Sequence, residues 1–202
     1  MKFILGEKIG MSQLFDEKGN VIPVTWVQAG PCFVTQVKTK HPEDKEKKPD
    51  SYNAVQIGFK RLKTKKKGKK LFRYLREFRG EEQEVLQFKE GDKIDVSVFK
   101  EGDIIKVSGI SKSKGFQGVV KRWGFKGAPK THGTKHTLRA PGSIGATDPE
   151  KVFKGRKMAG RTGGKRVTVR NLRIVKIDKD KNLLAIKGAV PGASGTLLEI
   201  RG

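Results

Sequence analysis

Few side chains in this sequence have the type and spacing that chemistry requires. His132 and His136 lie four apart in Thr131-His132-Gly133-Thr134-Lys135-His136. On a helix that spacing would turn two imidazoles toward one zinc ion. Gly133 and the nearby Pro129 oppose a helix, and no Cys or carboxylate lies close by in sequence, so the pair reads as a nucleic-acid or packing contact. Asp92, Asp95, Glu101 and Asp103 could supply paired carboxylates for acid–base work. They sit instead at apparent strand ends, where turn residues belong. The phosphate-cradling pattern of a glycine, four residues, then Gly-Lys-Ser/Thr fails at Gly164-Lys165, because Ala159 holds the first glycine position and Arg166 the last. Cys32, flanked by apolar residues in Gly30-Pro31-Cys32-Phe33-Val34, reads as a buried structural thiol. As the single cysteine it excludes a disulfide scaffold and fits a reducing compartment. The expectation is a protein that is not an enzyme and uses no cofactor, metal or small-molecule substrate.

The tracts that point to binding are of another kind. Ser111-Lys112-Ser113-Lys114-Gly115-Phe116-Gln117-Gly118-Val119-Val120-Lys121-Arg122-Trp123-Gly124-Phe125 interleaves cations, glycines and aromatics. Lys and Arg neutralise phosphates, Gly admits a close backbone, and aromatic faces stack on unpaired bases. Singly, each of Phe116, Trp123 and Phe125 could equally anchor the segment to the protein. Lys151 to Arg166 is a second tract, with seven cations and no acid among its side chains. The expected RNA contacts are Lys112, Lys114, Phe116, Lys121, Arg122, Trp123, Phe125, His132, His136, Arg139, Lys151, Lys154, Arg156, Lys157, Arg161, Lys165 and Arg166.

The distribution of charge places these tracts. The 202 residues carry a net charge of +24, which repels itself and calls for a polyanion. Residues 1–37 are neutral overall and residues 81–110 are net acidic, while residues 38–80 carry +11 and residues 111–170 carry +14. The Lys-rich stretch 38–70 admits two readings, a solvated loop or a non-specific phosphate contact. Residues 109–165 hold 12 Gly, 3 Pro and four aromatics with almost no alternating apolar run. So long an irregular segment is functional or disordered, and its aromatics argue for an arm that orders when bound.

The near-neutral segments supply the elements that must hold such an arm. Short β-branched or alternating runs at 21–27, 33–37, 54–59, 94–99, 104–107, 167–169, 172–177, 183–186 and 196–200 predict an antiparallel sheet or barrel. Asp178-Lys179-Asp180-Lys181-Asn182 predicts a hairpin loop between two of them. Leu71, Tyr74, Leu75 and Phe78 have helix spacing, yet the same stretch also alternates, so period alone leaves helix and strand open. No apolar run reaches the length of a membrane helix, and the N-terminus lacks a signal-peptide apolar region. The expected location is cytoplasmic.

Several long motifs in order resemble one family. Leu5-Gly6-Glu7-Lys8-Ile9-Gly10-Met11-Ser12-Gln13-Leu14-Phe15, Arg73-Tyr74-Leu75-Arg76-Glu77-Phe78-Arg79 and Lys114 to Phe125 are three of them. Thr131-His132-Gly133, Pro141-Gly142-Ser143-Ile144-Gly145, Lys154-Gly155-Arg156-Lys157-Met158-Ala159-Gly160 and Lys187-Gly188-Ala189-Val190-Pro191-Gly192 complete the set. Over essentially its whole length the chain resembles the bacterial large-subunit ribosomal protein L three family. The resemblance implies a mainly β fold: a translation-factor-type β-barrel from 1–110 and 166–202, with a small inserted α+β part over about 40–90, and a long Gly/Lys/Arg-rich irregular extension at 111–165. It implies a ribosome-bound structural protein whose partners are large-subunit rRNA and neighbouring ribosomal proteins, with no membrane. It further implies a role in early assembly, and an extension reaching toward the peptidyl transferase centre with 143–158 nearest to it, which adds Ser143 and Met158 to the expected RNA contacts. It makes Tyr74 to Arg79 a strand. The sequence departs from the family in two places. Many bacterial members carry a Gln, methylated on its amide, after Gly-Ser-Ile-Gly, whereas Ala146 follows Gly145 here. The stretch between Lys60 and Arg73 is also short and Lys-rich, where relatives often have a longer helical piece. Two other classes remain open on the residues alone: an RNA-modifying or RNA-cleaving enzyme with a basic arm, and a free RNA chaperone.

Overall fold

Alternating apolar residues in short runs have one way to hide their apolar face while pairing every backbone group, which is to pair with one another. The computed structural model describes residues 2–40, 50–63 and 71–202, and its strands do this in two sheets. In chain order the elements are β1 (Phe3–Phe15), β2 (Val21–Ala29), β3 (Cys32–Lys38), β4 (Ala54–Arg61), β5 (Phe72–Arg79), α1 (Glu82–Val85), β6 (Lys93–Ile94) and β7 (Ile104–Ile110). Then follow β8 (Phe116–Gln117), α2 (Val119–Trp123), β9 (Gly160–Arg161), β10 (Arg166–Asp178), β11 (Leu183–Lys187) and β12 (Leu197–Arg201). By contact the chain divides into two units, one of residues 1–110 with 166–202 and one of residues 111–165.

In the first unit, β1, β12, β7, β10, β11 and β2 pair in that order, and β2 returns to β1, so the antiparallel ladder closes. Closure leaves no unpaired edge. The second sheet runs β5-β4-β3-β6. One apolar core joins the two sheets. Phe3 on β1 stacks on Phe78 of β5 with ring centroids 4.6 Å apart and lies 5.3 Å from Phe88. Ile105, Val107, Ile174, Leu184, Ile186, Leu198 and Ile200 are buried in the same cluster from the barrel strands, as are Val55, Ile57 and Phe59 from β4. Gly6 allows the tightest approach in the barrel wall: a Cβ there would meet Val27 Cγ1 at 2.6 Å and the Gln28 carbonyl oxygen at 3.0 Å. Lys8 is buried, and its ammonium donates to the carbonyls of Val190 and Gly192, each at 3.0 Å, pinning the turn before β12.

One expectation changes. The run 94–99 is not a continuous strand. β6 stops at Ile94 and a 3₁₀ turn covers Val96–Val98. Val96 and Phe99, three apart, are both buried, and one tight turn points both inward, a solution that alternation over 94–98 conceals. The ambiguous 71–78 stretch forms β5, whose Val55↔Phe78 and Phe59↔Tyr74 partners lie on β4. The hairpin at 178–182 joins β10 and β11, with the Lys181 amide donating to Asp178 Oδ1 at 3.0 Å. Of the Lys-rich stretch, residues 41–49 and 64–70 lie outside the described residues, so the loop reading falls there too, while 54–61 is strand.

The second unit is built almost without a core. Val119 is its one buried residue. Backbone pairing holds its two ends together instead. The Ser111 amide donates to Lys165 at 2.9 Å, Lys114 to Thr162 at 2.9 Å and Thr162 to Gly115 at 2.9 Å, and β8 pairs with β9. Gly163, at φ 75°, lies so close to the Lys112 carbonyl that a Cβ would overlap its oxygen. The segment read as irregular therefore has a short two-stranded root.

Candidate nucleic-acid interface

The sequence around Trp123 makes one turn of helix, and the chain returns past it at Met158. The Trp123 indole N–H and Arg122 Nη1 both donate to the Met158 carbonyl, each at 2.8 Å. The Arg122 guanidinium lies 5.0 Å and the Lys157 ammonium 5.7 Å from the Trp123 ring centroid. Four of the expected contact residues thus form one cluster. Across the root Phe116 faces Arg161, with Phe116 76% exposed. Phe125 joins Lys154, Arg156 and Lys157 around an open cavity of about 400 Å³ that Phe153 also lines. Arg156 donates to the Ser143 carbonyl.

Of the remaining expected residues, Lys112, Lys114 and Lys165 belong to the paired root. Lys112, Lys114, Lys121, His132, His136, Arg139, Lys151 and Lys165 are exposed. His132 has a left-handed backbone at φ 58°, and among the described residues no three metal-ligating side chains gather. Arg166 belongs to the first unit, where it pairs with Glu199. Residues 111–165 contain 14 Lys or Arg and two carboxylates. Among the described residues none of those cations pairs with a carboxylate. A cation with no protein counter-charge keeps its ion atmosphere until a polyanion replaces it.

The carboxylates considered for catalysis are each engaged by an amide or a lysine. Asp92 accepts the Lys89 amide at 2.7 Å, Glu101 accepts the Ile177 amide at 3.0 Å, and Asp95 pairs with Lys93 at 3.0 Å. Asp103 accepts Lys2 Nζ at 2.7 Å and the Lys100 amide at 3.1 Å, and those bonds, the first above all, hold its carboxyl below the usual range. Cys32 is fully buried, and burial pushes its thiol up to about 12 while Sγ faces the Leu5 carbonyl at 3.6 Å. None of these arrangements offers a poised nucleophile or a shared-proton pair.

Cations on the first unit went unnoticed in the sequence. Arg76, Lys106, Arg170 and Arg201 line surface grooves with Arg166. Their signal was present in the strand runs, where Lys106 alternates with the buried Ile105 and Val107, but only pairing shows which strands share a face.

Geometry defines the class: a closed β-barrel protein that also carries a cation-rich unit almost without a core. Comparison with known proteins then gives the family. A family model described as Ribosomal protein L3 matches residues 82–190. The large ribosomal subunit protein uL3 of Desulfitobacterium hafniense is 46% identical over 211 aligned positions, covering 99% of this chain and 95% of that protein. Those of Carboxydothermus hydrogenoformans, 47% identical with 99% and 96% coverage, and Natranaerobius thermophilus, 50% identical with 98% and 95% coverage, are similar over the same extent. The chain belongs to the ribosomal protein L3 family, whose members are structural proteins of the translation machinery and not enzymes.

Proposed function

We propose that this chain is a structural constituent of the large ribosomal subunit, that it binds large-subunit rRNA and supports early subunit assembly, and that residues 111–165 extend toward the peptidyl transferase centre. In this reading the closed barrel is of the translation-factor type and fixes position. The 111–165 unit threads between RNA helices, and neighbouring large-subunit proteins complete its surroundings in a cytoplasmic ribosome.

One observation carries the reading: among the described residues, 14 cations stand without carboxylate partners in a unit with a single buried residue. Fixing backbone costs about 1–2 kcal/mol per residue. A unit that buries so little of its own surface must offset that cost with an external partner. Release of counterions from RNA phosphates is the term such a unit can draw on. The relatives are named for the large ribosomal subunit, which supports the same partner. The placement of 143–158 nearest the peptidyl transferase centre rests on the family resemblance. There the segment shapes RNA conformation and supplies no catalytic group.

The test is sedimentation of a cell lysate through a high-salt gradient, with the chain followed by antibody. Co-migration with the large subunit is the expected result. A chain that stays at the top of the gradient overturns the structural-constituent reading and favours a free RNA chaperone.

A further inference from the structure

Outside residues 111–165, the outer wall of the barrel carries a second cationic surface. Three strands build it. In the β7–β10 ladder Ser108 faces Thr168, and their hydroxyls meet at 2.8 Å. In the β12–β7 ladder Arg201 faces Lys106. Directly opposed residues share a face, and Ile105, Val107 and Ile200, one step along, are buried. The hydroxyl and cationic side chains therefore all stand outside.

A bulge completes the surface. The β7–β10 register shifts between Val169 and Leu172, with Asn171 left-handed at φ 58°. Two residues, Arg170 and Asn171, thus oppose Lys106, and the extra residue lets Leu172 turn inward while Arg170 stays outside. A bulge re-aims side chains in this way. The result is an open groove of about 490 Å³ lined by Lys106, Ser108, Arg166, Thr168, Arg170 and Arg201. Four cations and two hydroxyls line it, and no carboxylate or apolar side chain does.

The nearest acid does not cancel this charge. Glu199 accepts Arg76 Nε at 3.1 Å and is also bonded by Arg166. Two guanidiniums already share that carboxylate. Arg201 lies over the Phe78 ring, 4.6 Å from its centroid. Burial lowers its pKa, Glu199 opposes that shift and the neighbouring Arg166 adds to it. A partly desolvated guanidinium beside two hydroxyls is a donor set awaiting an anion. The groove also lacks an apolar anchor of the sort on which protein partners depend.

We propose that this barrel-wall groove is a second RNA site, separate in sequence from 111–165, which takes the phosphodiester backbone of an RNA strand through Lys106, Arg166, Arg170 and Arg201, with Ser108 and Thr168 donating to phosphate oxygens. The site reads no base, because cations and hydroxyls suit phosphate oxygens and no aromatic side chain lines the groove for stacking. It rests on the RNA-binding reading above and names where the barrel itself contributes.

The test compares two full-length double variants of equal charge. Lys106→Gln with Arg170→Gln removes two groove cations. Lys179→Gln with Lys181→Gln removes two exposed cations from the β10–β11 turn. All four side chains are exposed, so the fold has no reason to fail, and melting curves confirm it. Binding to deproteinised large-subunit rRNA is measured across a series of potassium chloride concentrations. Each lost phosphate contact lowers the slope of log K against log salt by about 0.7–0.9. The groove variant is expected to lose about 1.4–1.8 from the slope, and the turn variant to match the unaltered protein. Equal slopes for the two variants overturn the groove proposal alone and leave an acidic protein segment as the occupant to seek. An unaltered protein that shows no salt-dependent rRNA binding overturns the RNA-binding reading itself.

Discussion

Trp123 ties α2 to the returning chain at Met158, and removing it should give a measurable change. Its indole N–H bonds the Met158 carbonyl at 2.8 Å, and two cations lie 5.0 and 5.7 Å from its ring. A hydrogen bond contributes about 0.5–1.5 kcal/mol net. A cation–π contact at an exposed site adds about 0.5–1 kcal/mol. Arg122 keeps its own bond to Met158, so Trp123→Ala loses one hydrogen bond and two ring contacts, about 2 kcal/mol in all. Trp123→Phe keeps a ring and loses about 1 kcal/mol. The readout is amide hydrogen exchange in the RNA-free protein at Lys114 and Thr162, whose N–H groups donate across the root. At tenfold per 1.4 kcal/mol, exchange there should rise roughly 25-fold for Ala and roughly 5-fold for Phe. Residues 143–157, with few backbone hydrogen bonds of their own, should exchange rapidly in every variant. Unchanged exchange at Lys114 and Thr162 in Trp123→Ala would refute the clamp. Slow exchange throughout 143–157 would show that the unit orders without a partner.

Three further outcomes are expected. Gly6→Ala forces a Cβ against Val27 and the Gln28 carbonyl and should lower unfolding free energy by about 1–3 kcal/mol, read as a denaturant midpoint shift at constant slope; an unshifted midpoint would mean the wall yields freely. Glu77 is held below its ordinary range by bonds from Lys38 and Tyr52, so its contribution to stability is complete above about pH 4.3 and is lost as pH falls through its lowered folded value. Melting temperature should therefore fall below that pH and fall less in Glu77→Gln, whereas parallel acid profiles would exclude this linkage. Cys32 is fully buried with its thiol pushed up to about 12, so native protein at pH 8 should resist iodoacetamide and react fully in denaturant; prompt stoichiometric labelling of the native chain would contradict the burial.

Much of the barrel is legible because its strands alternate or run β-branched, and those patterns are local. The 104–107 and 183–186 runs read directly as β7 and β11. The reading fails where two periods coincide. Leu71 to Phe78 satisfies both helix and strand spacing, and pairing with β4 decides it. Ile94 to Val98 alternates, yet a 3₁₀ turn buries Val96 and Phe99 together. The sequence reading leaves β1 out altogether, because Phe3 to Gly6 are buried in succession while Ile9, Met11 and Phe15 lie on the surface, so no alternation marks it.

By itself the sequence determines that the chain is strongly cationic, that its cations gather in two segments, and that residues 111–165 cannot bury a core of their own. Those follow from side-chain type and count, which folding does not alter. Tertiary structure alone decides which distant residues meet. Arg122 and Trp123 reach Met158 across 35 or more positions, because backbone pairing at the root returns the chain past α2. Lys106, Arg170 and Arg201 share one outer face because ladder register and a single bulged residue set which way each side chain points. Register is a property of paired strands, and no one strand's sequence contains it.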